Sequence, residues 1–168
     1  MRAALILITD MDISYISGSK KFNYRVCAVI VSEGRLLAMR DERSPYYYLP
    51  GGRVKLGESA EEAIARELKE ELAIDAELVR PLWVCQSFFN EDVDGLDYHE
   101  LCVYFLADVS ETDLPGRGNG FTQEEGSRIH RFKWIPFGRL DSEYLYPLFI
   151  KKRIFSLPQS LELITERE

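Results

Sequence analysis

The sequence predicts an α/β fold in which one amphipathic helix is set among β-type segments. Three observations carry this expectation. A helix start signal stands at Ser59, apolar and β-branched runs lie on both sides of that helix, and turn residues fall where those runs must end. No internal repeat, low-complexity tract or linker interrupts the 168 residues, so a single domain spanning residues 1–168 is expected, large enough to bury a proper core.

The elements follow in order. Residues 3–8 read as a short strand, and Ser17 to Lys21 as a loop. Tyr24 to Val31 is apolar and β-branched, and Glu33-Gly34 turns it into a second strand at Arg35–Arg40, a hairpin by its turn chemistry. Tyr46 to Leu49 leads into Pro50-Gly51-Gly52, where a strand must stop. Ser59 followed three residues later by Glu62 is a capping box that starts a helix at Ala60. Ile64, Leu68 and Leu72 recur at i, i+4 and i+8 and form its buried stripe. Two β-type runs follow, Ala76–Phe89 and Glu100–Val109, separated by an acidic loop with Asp92, Asp94 and Asp97. Leu114 to Gly126 is rich in Gly and polar residues and reads as a mobile loop. Phe132 to Pro136 reads as a strand ending in a proline turn. Asp141 then caps a C-terminal helix with Pro147 near its first turn, Leu157-Pro158 ends that helix, and Leu161–Ile164 adds an edge strand.

The helix carries the chemistry. Glu67, Glu70 and Glu71 stand at i, i+3 and i+4, on one face and off the apolar stripe. Like charges at this spacing cost roughly 0.2–0.5 kcal/mol per pair, and anions near a helix C-terminus are disfavoured by about 0.3–1 kcal/mol each. A bound cation reverses both penalties, and carboxylate oxygens suit Mg²⁺ or Mn²⁺. The bland reading of such a run is a solvated, salt-bridged face. The residues around it decide between the two.

Gly52, Glu58, Arg66, Glu67, Leu68, Glu70, Glu71 and Ile74 fall at the offsets of the Nudix signature, and the segment resembles the Nudix hydrolases. Six fixed charged or Gly positions recur by chance at roughly 10⁻⁷ per window at ordinary residue frequencies. The one departure is Ala73, where the family usually has Gly as a left-handed cap, which leaves the helix ending open. The resemblance implies a Nudix-type α/β/α sandwich with a mixed, curved sheet. It also implies hydrolysis of a phosphoanhydride in a nucleoside diphosphate linked to another group. Glu67, Glu70 and Glu71 would be metal ligands, and Glu58 would reach the metal directly or through water. Gly52 would let the backbone pass close to metal and phosphates. Arg66 would orient a glutamate, with Glu62 and Glu70 as its i−4 and i+4 neighbours. The general base in this family is a box glutamate such as Glu70, or a carboxylate from a later loop, where Glu124 and Glu125 stand.

For the substrate, Tyr46, Tyr47, Phe88, Phe89 and Phe121 are candidates to stack on a base, Phe88 and Tyr47 foremost, though most strand aromatics are core. His99, at the mouth of a strand, is a further candidate contact, whereas His130 reads as structural. Family members acting on ADP-ribose often carry a proline beyond the box where this chain has Phe88-Phe89, which weakens that substrate. The alternatives are a hydrolase of a non-nucleotide diphosphate and a binding module that kept the fold without hydrolysis. The second would be marked by loss of box carboxylates, all of which are present.

The net charge of −7, without a basic block, speaks against a nucleic-acid partner. Cys27, Cys85 and Cys102 are odd in number, widely spaced in sequence and set in apolar runs, so they read as buried thiols. The apolar residues at 3–8 are too few for a signal segment or a membrane span, which points to a cytoplasmic protein with no membrane contact. A homodimer is compatible with this reading.

Overall fold

The sheet is organised by one long strand, β2 (Lys20–Ser32), whose inner residues are small or β-branched and buried on both faces. The computed structural model describes residues 10–168, so the strand expected at 3–8 lies outside the described residues. β1 (Ser14–Ser17) pairs with the start of β2 in a tight hairpin, which makes the expected 17–21 loop mostly paired strand. At its other end β2 turns through Glu33 and Gly34, both at positive φ, into β3 (Arg35–Arg40), as the turn chemistry predicts. β4 (Gly51–Arg53) pairs antiparallel with β2, and β6 (Asp97–Asp108) pairs with it in parallel. Outward on one side lie β5 (Glu77–Asn90), antiparallel to β6, and the edge strand β9 (Glu162–Arg167), parallel to β5. On the other side β3 pairs with β8 (Arg128–Pro136), and β8 with β7 (Gly120–Glu125). The sheet is mixed and open, in the order β7-β8-β3-β2-β6-β5-β9.

Alternation along β2 divides the core in two. Val26, Ala28 and Ile30 pack with Ile64, Leu68 and Leu72 of helix α1 (Ala60–Leu72), together with Phe105, Phe132 and Trp134. Cys27 and Val29 pack on the opposite face with Trp83, Leu140, Leu145, Ile150 and Ile154. Those last four come from a 3-10 turn (Phe137–Ser142), an extended connection and the single-turn helix α2 (Ile150–Arg153). The layering is therefore helix, sheet and a thin second helical layer.

Two expectations are corrected. Residues 114–126 are not a loop: Leu114 is fully buried in a short 3-10 turn (Leu114–Arg117), and the chain then forms β7. The helix expected from Asp141 to Leu157 is reduced to the single turn α2, because the backbone before Pro147 bonds elsewhere. Tyr47 N–H donates to the Tyr144 carbonyl and Tyr146 N–H to the Tyr47 carbonyl, both across space, which takes residues 144–146 out of any helical ladder. The edge strand at the C-terminal end is present as β9. All three cysteines are free and buried. Among the described residues no helix is long and apolar enough to cross a membrane.

Candidate active site

Helix α1 begins and ends on local chemistry. The Ser59 hydroxyl accepts from the Glu62 N–H at 3.1 Å, and the Glu62 carboxylate accepts from the Ser59 N–H at 2.8 Å, which completes the capping box. Ala73 adopts φ 54 and ψ 38, the left-handed cap that Gly usually supplies, and its N–H donates to the Lys69 carbonyl. The helix thus ends where the sequence places it.

The three glutamates are not equivalent. Seven residues of α-helix return to within about 20° of the starting direction, so Glu71 lies beside Ile64 on the flank of the buried stripe and is only 5% exposed. The Glu67 side chain is 12% exposed, whereas that of Glu70 is 40% exposed and lies at the rim. Glu67 and Glu71 line a cleft of about 530 Å³; Glu70 and Glu58 do not.

β4 shapes the wall opposite these carboxylates. Gly51 N–H donates to Glu71 Oε2 at 3.0 Å, and the Glu67 carboxylate sits where a Gly52 side chain would be. Arg66 ties the rest together. Its Nε and Nη2 donate to the two oxygens of Glu58 at 2.6 and 3.0 Å, and Nη1 donates to Glu67 at 2.7 Å and Glu70 at 3.0 Å. Nη2 also donates to the Arg53 carbonyl at 3.0 Å, so the guanidinium is largely committed to its neighbours. The expected partner Glu62 is not among them, because its carboxylate is spent on the cap. Glu58 also accepts from the Lys55 N–H at 2.9 Å.

Electrostatics separates the carboxylates further. Arg66 holds the Glu58 carboxyl below its ordinary value. Burial pushes Glu67 up against the opposing pull of Arg66. Burial pushes Glu71 well up and the Glu67 charge adds to this, while the Gly51 N–H and the Arg25 charge oppose it.

The hairpin β7–β8 brings in the remaining groups. Alternation turns Glu124 to solvent and leaves Glu125 half-buried on the cleft. Glu125 Oε2 lies 2.8 Å from His130 Nε2, and Glu71, Glu125 and His130 each offer a ligand atom, all within 4.8 Å of one another. The buried Glu71 carboxylate, met by one neutral donor, and the Glu67 carboxylate beside it on the cleft offer hard oxygen ligands that fit a divalent cation. The sequence alone marks His130 as structural. Its parity with Phe132 and Trp134 on β8, which puts it on the face toward α1, is the signal that could have placed it here. Arg25, on β2 in the cleft, gave no sequence signal.

Parity also sorts the aromatic candidates. Tyr46, Tyr48 and Phe89 line the cleft, but Tyr47, Phe88 and His99 do not. Tyr47 lies between Arg40 and Lys133, and Phe88 stacks on His99 with ring centroids 4.4 Å apart in an adjoining recess that shares Phe89 and Tyr98 with the cleft. Phe121 stacks on Phe132 at 5.0 Å, against the α1 core.

Known proteins resemble this chain in sequence and in fold. The NUDIX domain model matches residues 21–154. A putative 8-oxo-dGTP diphosphatase of Bacillus subtilis is 30% identical over 123 residues, which cover 73% of this chain and 68% of that protein. An ADP-ribose pyrophosphatase of Methanocaldococcus jannaschii is 32% identical over 92 residues, covering 53% of this chain and 52% of that protein, about half its length. Among solved structures, the mutator MutT protein from Bacillus halodurans superposes with a TM-score of 0.62 at 16% identity, covering 86% of this chain and 89% of that one, a likeness of fold. The chain belongs to the Nudix hydrolase family.

Proposed function

We propose that this Nudix hydrolase cleaves a phosphoanhydride bond in a nucleoside diphosphate linked to another group, with Mg²⁺, or Mn²⁺ in its place, as cofactor. The observation that carries the reading is the convergence of Glu67, Glu71 and Glu125, from a helix and a strand far apart in sequence, on one cleft. Among the described residues the only hydrogen bond to the Glu71 carboxylate is from the neutral Gly51 N–H and no ion pair reaches it, so its charge calls for an external cation. The names of both relatives support a nucleotide derivative as substrate. Retention of every box carboxylate speaks against a binding module without hydrolysis.

Glu67 and Glu71 would hold the ion from the cleft, with Glu70 and Glu58 contributing from the rim under the control of Arg66. A divalent cation, when bound, neutralises phosphate charge and makes a coordinated water more acidic. The chain's own groups then have distinct tasks. Gly51 would leave bare backbone against the diphosphate, and Gly52 leaves room for the Glu67 carboxylate. Glu125 accepts the proton of the attacking water as its oxygen bonds to phosphorus and the bridging P–O bond breaks. Tyr46 and Phe89, on the cleft wall, flank the transferred or leaving group.

Hydrolysis of a panel of diphosphates tests this. Chelation should abolish turnover and Mg²⁺ or Mn²⁺ should restore it, with nucleotide derivatives preferred. Turnover that survives excess chelator removes the metal reading, and a preference for isoprenoid or other non-nucleotide diphosphates removes the substrate class.

A further inference from the structure

We propose that His130 is a positioning residue that holds the Glu125 carboxylate in the cleft. The inference rests on the reading of Glu125 as the base. Glu125 is the last residue of β7, just before Gly126 turns the chain at φ 59, and its side chain is 34% exposed. Its carboxylate is close to that of Glu71 and shares the cleft with Glu67, two like charges that drive it toward solvent. The opposing contact is the imidazole of His130, with Nε2 2.8 Å from Oε2. His130 itself is fixed: it is 3% exposed, sits in the β8 ladder opposite Gln123, and packs edge-on to Phe132. Its Nδ1 is buried and has no hydrogen-bond partner among the described residues. A single ring proton therefore belongs on Nε2, where a carboxylate receives it, and not on Nδ1, where nothing does. The ring is a rigid donor aimed at one oxygen, and it leaves the other oxygen of Glu125 free for a water proton.

The test compares wild type with His130→Leu, His130→Phe, His130→Gln, Glu125→Gln and the double variant His130→Leu/Glu125→Gln. Steady-state kinetics use the best substrate of the panel with Mg²⁺. Mn²⁺ binding is followed by electron paramagnetic resonance, and folding by thermal melting. Loss of the donor in the Leu or Phe variant should lower kcat about tenfold or more with KM nearly unchanged, and Gln, which keeps an N–H donor, should recover most of it. The double variant should be no slower than Glu125→Gln alone, because His130 acts only through Glu125. In the His130 single variants Mn²⁺ affinity should stay within about threefold, since the proposed ligands Glu67 and Glu71 are kept. Multiplicative losses in the double variant, or kcat unchanged in a folded Leu or Phe variant, overturn the inference. Mn²⁺ binding lost in step with kcat would make His130 a ligand and also overturn it. Full kcat in Glu125→Gln is a separate failure, that of the base assignment itself.

Discussion

The carboxylate of Glu67 occupies the space that a side chain on Gly52 would need. Next to it, a Cβ on Gly51 would strike the Val26 backbone carbonyl, and Gly51 has φ 150, a region few other residues enter. The two glycines thus serve different ends. Gly52→Ala meets only the tip of a flexible side chain, so it should leave Tm within a few degrees while displacing Glu67 and lowering metal affinity and kcat. Gly51→Ala meets backbone in a strained conformation and should destabilise by about 2 kcal/mol or more. Thermal melts and metal titrations of both variants check this, and equal loss of stability in the two would contradict it.

Glu71 predicts an unusual pH dependence for the metal-free protein. Burial raises its pKa, and that of Glu67, in the folded state. The folded chain then binds protons more tightly than the unfolded one, a stabilisation present in full below the ordinary carboxylate value and lost as pH rises through the raised one. Glu58 has the opposite sign: its carboxyl is held low, and its contribution disappears as pH falls through that lowered value. In chelator, stability should therefore rise from neutral pH toward about pH 5 and fall in stronger acid. Glu71→Gln should flatten the upper limb, keep the Gly51 hydrogen bond through its amide oxygen, and leave metal-free Tm equal or higher. A wild-type stability that only increases toward neutral pH would rule this out.

Ala73 sits in the left-handed region at φ 54, is exposed, and has a backbone N–H bonded to Lys69. A Cβ in that conformation costs roughly 1–2 kcal/mol, partly offset by the greater freedom of Gly in the unfolded chain. Ala73→Gly should stabilise the protein by about 0.5–1 kcal/mol with kcat unchanged. Denaturant unfolding measures it; a loss of stability would mean that the cap is not strained.

Leu68 is 1% exposed, between the helix and the sheet. Leu68→Ala should cost about 2–5 kcal/mol, and any loss of rate should follow the unfolded fraction. A variant of full stability would place the buried face of α1 elsewhere.

Much of the fold was legible because its signals are short-range. The Ser59–Glu62 capping box, the Ile64–Leu68–Leu72 stripe and the Glu33-Gly34 turn each act within a few residues, and each appears where the sequence places it. The C-terminal helix is cut to the single turn α2 for the complementary reason. Residues 144–146 satisfy their backbone groups with Tyr47, nearly a hundred positions away, and no local pattern announces that bond. β7 was missed likewise, since a polar edge strand is defined by its partner β8 more than by its own residues.

The sequence by itself determined the carboxylate spacing, the helix that bears it and the glycines set against it. It could not rank the glutamates, because helical periodicity fixes which residues share a face but not which part of that face meets the sheet. Packing decided that Glu71 is buried under Gly51 while Glu70 stays at the rim. It also decided that Glu125 and His130 join the cleft and that Tyr47, Phe88 and His99 stay out of it. Strand parity is set by register with neighbouring strands, and a shift of one residue turns every side chain to the other face. That register exists only once the sheet has formed.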